Sequence, residues 1–187
     1  CIIKEEFTVP VYTAELAFVR NITSAVTLTE GQLVEIWMGF TTSTDEKRFS
    51  GELQTFVSEQ GKVKVKAVNK MYRAVQTRLD AVKYQSDVAG NPAYPDGKYS
   101  AIFTDIINTY IGLTANATDS GTLITKDKFF CDNTPASERL DKLATDLNWY
   151  YYYSASANQA IFRPKQTTVN TTILTVGDNV VKIPKWE

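Results

Sequence analysis

Carboxylates are the first side chains to weigh for chemistry, because the 187-residue chain has no histidine. The commonest general base and metal ligand is therefore missing. Glu5, Glu6 and Glu35 lie in strand-like stretches. A pair of carboxylates could cleave a glycosidic bond, but nothing sets a second one at a readable distance, and exposed strand charges are expected instead. Asp87, Asp96, Asp105 and Asp119 are donors of the kind calcium takes. They lack the Asp-x-Asp-x-Asp-Gly spacing and closing glutamate, so they read as loop and cap residues. Cys1 and Cys131 form no Cys-x-x-Cys pair; Cys131 reads as a small core residue, and spacing cannot argue a bridge between them. Phosphate-loop, dinucleotide and nucleophile-elbow motifs are all absent. The expectation is a chain that is not an enzyme, with no catalytic residue, no metal and no cofactor.

A second kind of chemistry is stacking. Trp149-Tyr150-Tyr151-Tyr152-Tyr153 reads as a strand of aromatic residues. Tyr151 and Tyr152 are candidates to stack sugars or bases. In an alternating strand only one face can do so while the other packs on helices, and a core or protein-interface role is favoured. Asn21-Ile22-Thr23, Asn116-Ala117-Thr118 and Asn170-Thr171-Thr172 match glycosylation acceptors, a chance match in a Thr-rich chain.

The elements that must position these residues centre on Gly31 to Phe40, followed by Phe49 to Leu53. Leu33, Glu35, Trp37 and Gly39 point one way; Val34, Ile36, Met38 and Phe40 point the other. A strand apolar on both sides belongs in a closed barrel, between layers, or against assembly partners. The polar run 41–48 reads as an exposed loop, and Gly51 marks a bend or a close backbone approach. Residues 4–20 and 25–28 read as extended. Leu53 to Val57 and Val63 to Val68 predict a hairpin with Val63, Val65 and Ala67 inward and Lys62, Lys64 and Lys66 on a solvated face. Met71, Val75 and Leu79 recur at helical spacing.

Composition shifts after Leu79, and 87–97 is the clearest loop. A helix is predicted over 100–114 with Ser100 as N-cap and Phe103, Ile106, Ile107, Tyr110 and Ile111 as its apolar stripe. A second starts with Thr134 as N-cap and Pro135 first in the helix, with Leu140, Leu143, Ala144 and Leu147 inward. The aromatic strand follows, then a turn at 154–158 and its partner 159–164. Strands at 167–174 and 180–183 are expected to return to the first unit.

With 43% apolar residues and a formal net charge of −1, the chain is globular and carries no overall basic bias for nucleic acid. No apolar run approaches the roughly 18–20 residues of a membrane span, and no signal peptide is visible. A start at Cys1 and a stop at Glu187 are what a mature chain, or a partial one cut from a longer polypeptide, would give.

The order of these elements resembles the baseplate-hub or tail-hub proteins of tailed phages and contractile injection machines. Gly31, Val34, Glu35 and Ile36, then Phe49 and Gly51, then Val65, Ala67 and Asn69 match the pattern of the family's first barrel. Ala136, Leu140, Leu143, Ala144, the aromatic strand, Phe162 and Pro164 match that of its inserted domain. Gln32 and Asn69 stand where the family often has Asp. The resemblance implies an α+β, mostly β fold: a small β-barrel (1–79), an inserted helix-plus-strand module (80–165), and strands (166–187) that return to the barrel and lead toward a second one. It implies a structural virion protein, a homotrimeric ring joining the tail tube protein to a spike or tip protein. Such a protein is assembled in the host cytoplasm and located in the virion tail, with nucleic acid only as a candidate lumen content. The apolar strand face then predicts an assembly interface at Trp37, Met38, Phe40 and Phe49. The alternative is a carbohydrate- or host-surface-binding domain using Tyr151 and Tyr152.

Overall fold

The computed structural model describes residues 2–6, 9–19, 28–39, 46–59, 62–80, 82–84, 97–122 and 129–165. The first unit is a five-stranded antiparallel sheet of β1 (Ile2–Glu6), β2 (Val9–Val19), β3 (Leu33–Met38), β4 (Glu46–Glu59) and β5 (Lys62–Asn69), in the order β1-β2-β5-β4-β3. The predicted hairpin is β4–β5, with Val63, Val65 and Ala67 buried and the lysines between them exposed. That alternation follows from the pleat, which sends successive side chains to opposite faces.

Gly51 is required by a close approach. A Cβ built on it would stand 2.1 Å from the Val68 carbonyl oxygen and 2.7 Å from the Phe49 ring. Two bulges bend β4. Between Ile36↔Phe49 and Trp37↔Lys47 one extra residue, Arg48, is accommodated, and a second irregularity falls between Leu53 and Thr55. Such extra residues increase local twist and re-aim neighbouring side chains. Among the described residues the sheet is open, with β1 and β3 at its edges. The strands expected to close it, at 167–174 and 180–183, lie outside the described residues, as does the 87–97 loop.

The chain then passes through α1 (Tyr72–Gln76), β6 (Arg78–Leu79) and β7 (Val82–Tyr84). Met71 and Leu79 are buried as expected, but Val75 is exposed and Ala74 takes the inward position. Helix α2 (Tyr99–Asp105) runs on into a π-helix (Ile106–Ile111). This changes which residues share a face. In a π-helix the hydrogen-bonding step is i to i+5, so Ile106 and Ile111 turn inward with Ile107 while Tyr110 turns out, 38% exposed. Ser100 is not the N-cap; Lys98 holds that position. The first helical amides are met from the 118–122 loop instead, Tyr99 N–H donating to the Thr122 carbonyl (3.2 Å) and Ser100 N–H to Ser120 Oγ (3.4 Å).

After β8 (Thr114–Ala117) and β9 (Phe129–Cys131), the pair Thr134–Pro135 forms β10, bridged to β6, and α3 spans Ala136–Leu147. The helix starts one residue later than expected because Thr134 and Pro135 are held extended by that bridge. Pro135 is the N-cap, and Ala136 N–H donates to the Thr77 carbonyl at 2.9 Å. Asn148, left-handed at φ 55°, ends it, a conformation that asparagine tolerates better than most residues. The aromatic strand β11 (Trp149–Ser154) pairs antiparallel with β12 (Gln159–Pro164), and β12 pairs parallel with β8.

One core joins these layers. Phe103 stacks on Phe162 (centroids 4.7 Å, planes 11° apart) and meets Tyr151 edge-on at 6.0 Å. Leu140, Leu143, Ile102, Ile106 and Cys131 are buried beside them. The same cluster reaches the sheet through Tyr12, Ala14, Phe49 and Ala67. Tyr12 packs edge-on to Phe49 at 5.7 Å and donates its hydroxyl to the Tyr153 carbonyl at 3.4 Å. Cys131 is a free thiol whose pKa burial pushes up to about 11.

Candidate assembly surface

Strand β3 ends the five-stranded order, so among the described residues one side of its backbone has no partner strand. An exposed edge of this kind is a template for pairing with another chain. Its side chains follow the alternation as far as Trp37, and Met38 departs from it. Val34 and Ile36 turn half-buried toward the core, while Leu33 and Trp37 are each 55% exposed and Met38 is 41% exposed. Monomeric surfaces carry isolated apolar residues without consequence; here three large ones stand on a single six-residue edge strand, Leu33 and Trp37 on one face and Met38, by the pleat, on the other.

Trp37 is held in place within the monomer. The bulge at Arg48 brings Lys47 opposite Trp37. The Lys47 ammonium lies 5.2 Å from the indole centroid and 2.8 Å from the Glu35 carboxylate, a cation–π contact braced by an ion pair. The hydrogen bond from Lys47 holds the Glu35 carboxyl below its ordinary range. Arg73 of α1 donates through Nε (2.9 Å) and Nη2 to Glu52, the residue opposite Leu33. The exposed apolar residues of the edge are thus interleaved with paired charges, Glu35 and its partner Lys47 lying between Leu33 and Trp37.

The four residues expected at this interface separate. Trp37 and Met38 are exposed on β3, and Phe40 lies outside the described residues. Phe49 is fully buried, packed against Tyr12 within its own chain, and offers nothing to a partner. Parity explains the correction: Phe49 pairs with Ile36, which faces the core, not with Trp37. Leu33, by contrast, joins the exposed set.

The tyrosine pair also separates. Tyr151 is buried and donates its hydroxyl to Asp141 Oδ1 at 2.6 Å, so it cannot stack a ligand. Burial and that carboxylate push its pKa well up. Tyr152 points the other way and stacks on Tyr150.

Asp105 and Asp119, two of the carboxylates considered for chemistry, have local roles. Asp105 accepts from Tyr84 (2.7 Å) and Thr109 (2.8 Å), and Asp119 accepts from Gly121 N–H (3.0 Å). Asp87 and Asp96 lie outside the described residues. Among the described residues no group of three His, Cys, Asp or Glu is gathered as a metal would need, and no helix is long and apolar enough to cross a membrane. An open groove of about 470 Å³, lined by Lys98, Ser100, Thr104, Asp105, Asn108 and Asp119 among others, runs along α2 and the π-helix.

No family model matches the chain, and no curated protein matches it in sequence. Solved structures do match its fold. The 43 kDa tail protein of prophage MuSo2 from Shewanella oneidensis superposes over 90% of this chain with a TM-score of 0.58 at 12% identity. The chain shares the fold of that tail protein. The tail protein gp18 of a Listeria monocytogenes EGD-e prophage shares this fold over 82% of the chain, with a TM-score of 0.52 at 13% identity. The chain spans 48% and 41% of the lengths of these two tail proteins. At such identities the likeness is one of fold, and it runs through both the five-stranded sheet and the helix-backed sheet.

Proposed function

We propose that the chain is a structural component of a phage tail, a hub or baseplate subunit that assembles as a homotrimeric ring between the tail tube and the tip or spike. The observation that carries this reading is the tail-protein fold over 90% of the chain. The open β3 edge with Leu33, Trp37 and Met38 in solvent supports it. In this reading residues 1–79 form the wall of the ring, completed as a barrel by the strands of 166–187, and 80–165 is an insertion set on that wall. The role is non-enzymatic and the place of action is the virion tail. The mechanism is strand-edge and apolar complementarity between copies, since obligate contacts bury large and mostly apolar surfaces.

The test is assembly state. Light scattering on the chain, and on a version extended to the length of the matched tail proteins, is expected to give particles of three times the protomer mass. Replacing both Leu33 and Trp37 by Ser is expected to return the monomer. A strict monomer in both lengths would overturn the ring.

A further inference from the structure

The outer face of the three-stranded sheet has a character of its own. By register, Tyr150, Tyr152 and Ser154 of β11 share that face with Arg163, Ile161 and Gln159 of β12 and with Thr114 and Asn116 of β8. The Tyr150 and Tyr152 rings run nearly parallel, 24° apart with centroids at 5.7 Å. The inner tyrosines of the same strand have their hydroxyls engaged: Tyr151 donates to Asp141 at 2.6 Å and Tyr153 to Asn158 Oδ1 at 2.5 Å. Among the described residues no such partner engages the hydroxyls of Tyr150 and Tyr152 or the Arg163 guanidinium. Asn116 donates through Nδ2 to Gln159 Oε1 at 3.2 Å. That single bond leaves the Asn116 carbonyl oxygen as an acceptor and the Gln159 amide as a donor.

Two aligned rings, one cation, a free acceptor and several free donors therefore lie on three adjacent strands, a span of roughly 10 Å. Aromatic faces meet the C–H faces of sugars, amides read their hydroxyls, and a guanidinium takes a carboxylate or phosphate. We propose that this face binds a saccharide bearing an anionic substituent. The rings of Tyr150 and Tyr152 would contact the sugar, Asn116 and Gln159 its hydroxyls, and Arg163 the anionic group. Single-stranded nucleic acid also stacks on tyrosines, but it needs a cationic track along its backbone. Arg163 is the one cation that the register places on this face, and the chain is net negative.

The site lies on different strands from the β3 edge, so it can be tested whatever the assembly state. The experiment is binding of the whole chain to an array of oligosaccharides, in matched neutral, carboxylated and phosphorylated forms, with an oligothymidine as comparison. The expected result is binding of acidic members at least about tenfold tighter than their neutral matches. Tyr152→Ala and Tyr150→Ala are each expected to weaken it about tenfold or more, Arg163→Gln to erase the acidic preference, and Tyr151→Phe to leave binding unchanged. Backbone amide NMR shifts in the unmodified protein should map the best binder to β11, β12 and β8, which keeps the test valid if an alanine variant fails to fold. No acidic saccharide bound, shifts mapping elsewhere, indifference to Arg163→Gln, or oligothymidine bound above every saccharide would each overturn the proposal.

Discussion

The helix-backed sheet and the β3–β4 ribbon treat their large apolar and aromatic residues differently. In the first, Phe103, Tyr151, Tyr153 and Phe162 are buried, and each buried tyrosine hydroxyl finds a partner. In the second, Leu33, Trp37 and Met38 remain in solvent, although Phe49 one strand away is fully buried. Both regions have similar strand chemistry, so composition does not decide the outcome. The difference lies in what covers them. Helices α2 and α3 and the π-helix close the inner face of the first region, whereas β3 ends its sheet. Apolar surface left at such an edge is what the proposed assembly would cover.

The comparison breaks most severely if the covered region tolerates truncation. Phe103→Ala removes a ring that stacks on Phe162 and meets Tyr151, and it should cost about 3–5 kcal/mol in chemical denaturation. A loss under 1 kcal/mol would mean that the core is not organised around that stack. Gly51→Ala comes next. Its Cβ would press on the Val68 carbonyl at 2.1 Å, backbone that cannot swing aside, and roughly 1–3 kcal/mol or more should be lost. Tyr151→Phe deletes one hydroxyl bonded to a carboxylate that keeps access to water, so about 1–2 kcal/mol is expected by the same measurement. Trp37→Ser sharpens the contrast from the other side. Stability measured at dilutions where the protein is monomeric should change by about 0.5 kcal/mol or less, in the range of ordinary surface positions, while self-association is lost.

Acid should act on the ribbon as well. Glu35 has its folded pKa depressed by Lys47 and Asp119 by the Gly121 amide. A carboxylate depressed on folding stabilises the native state above its ordinary pKa, and that contribution disappears as pH falls through the lower folded value. Melting temperature is therefore expected to hold from neutrality down to about pH 5 and to decline below about pH 4. Glu35→Gln should flatten a small part of that decline, because exposed pairs contribute little.

Much of the fold was legible in the residues. Alternation gave the β4–β5 hairpin and the β11–β12 pair, and Leu140, Leu143, Ala144 and Leu147 marked the inward face of α3. What escaped depended on partners distant in sequence or on unusual backbone. Ser100 looked like a cap, but the caps come from residues 120 and 122. Tyr110 fitted an α-helical stripe, and a π-helix moved it outward. Thr134 and Pro135 carried a helix-start signature that the bridge to β6 displaced by one residue. At the candidate surface, Trp37 and Met38 stand in solvent, and the two-sided apolar pattern of their strand had drawn attention to both. Phe49 was misassigned because the bulge at Arg48 and the pairing with Ile36 are properties of register, which neither segment states alone. Tyr151 proved buried because alternation fixes which residues share a face and leaves open which face the helices cover.

The measurement closest to the central claim is the mass of the particle in solution, read by light scattering as protein is diluted. A trimer of the 20.9 kDa chain is expected, dissociating when Leu33 and Trp37 are replaced by Ser while the melting transition persists. A monomer at every concentration and chain length, or a trimer indifferent to those two substitutions, would contradict it.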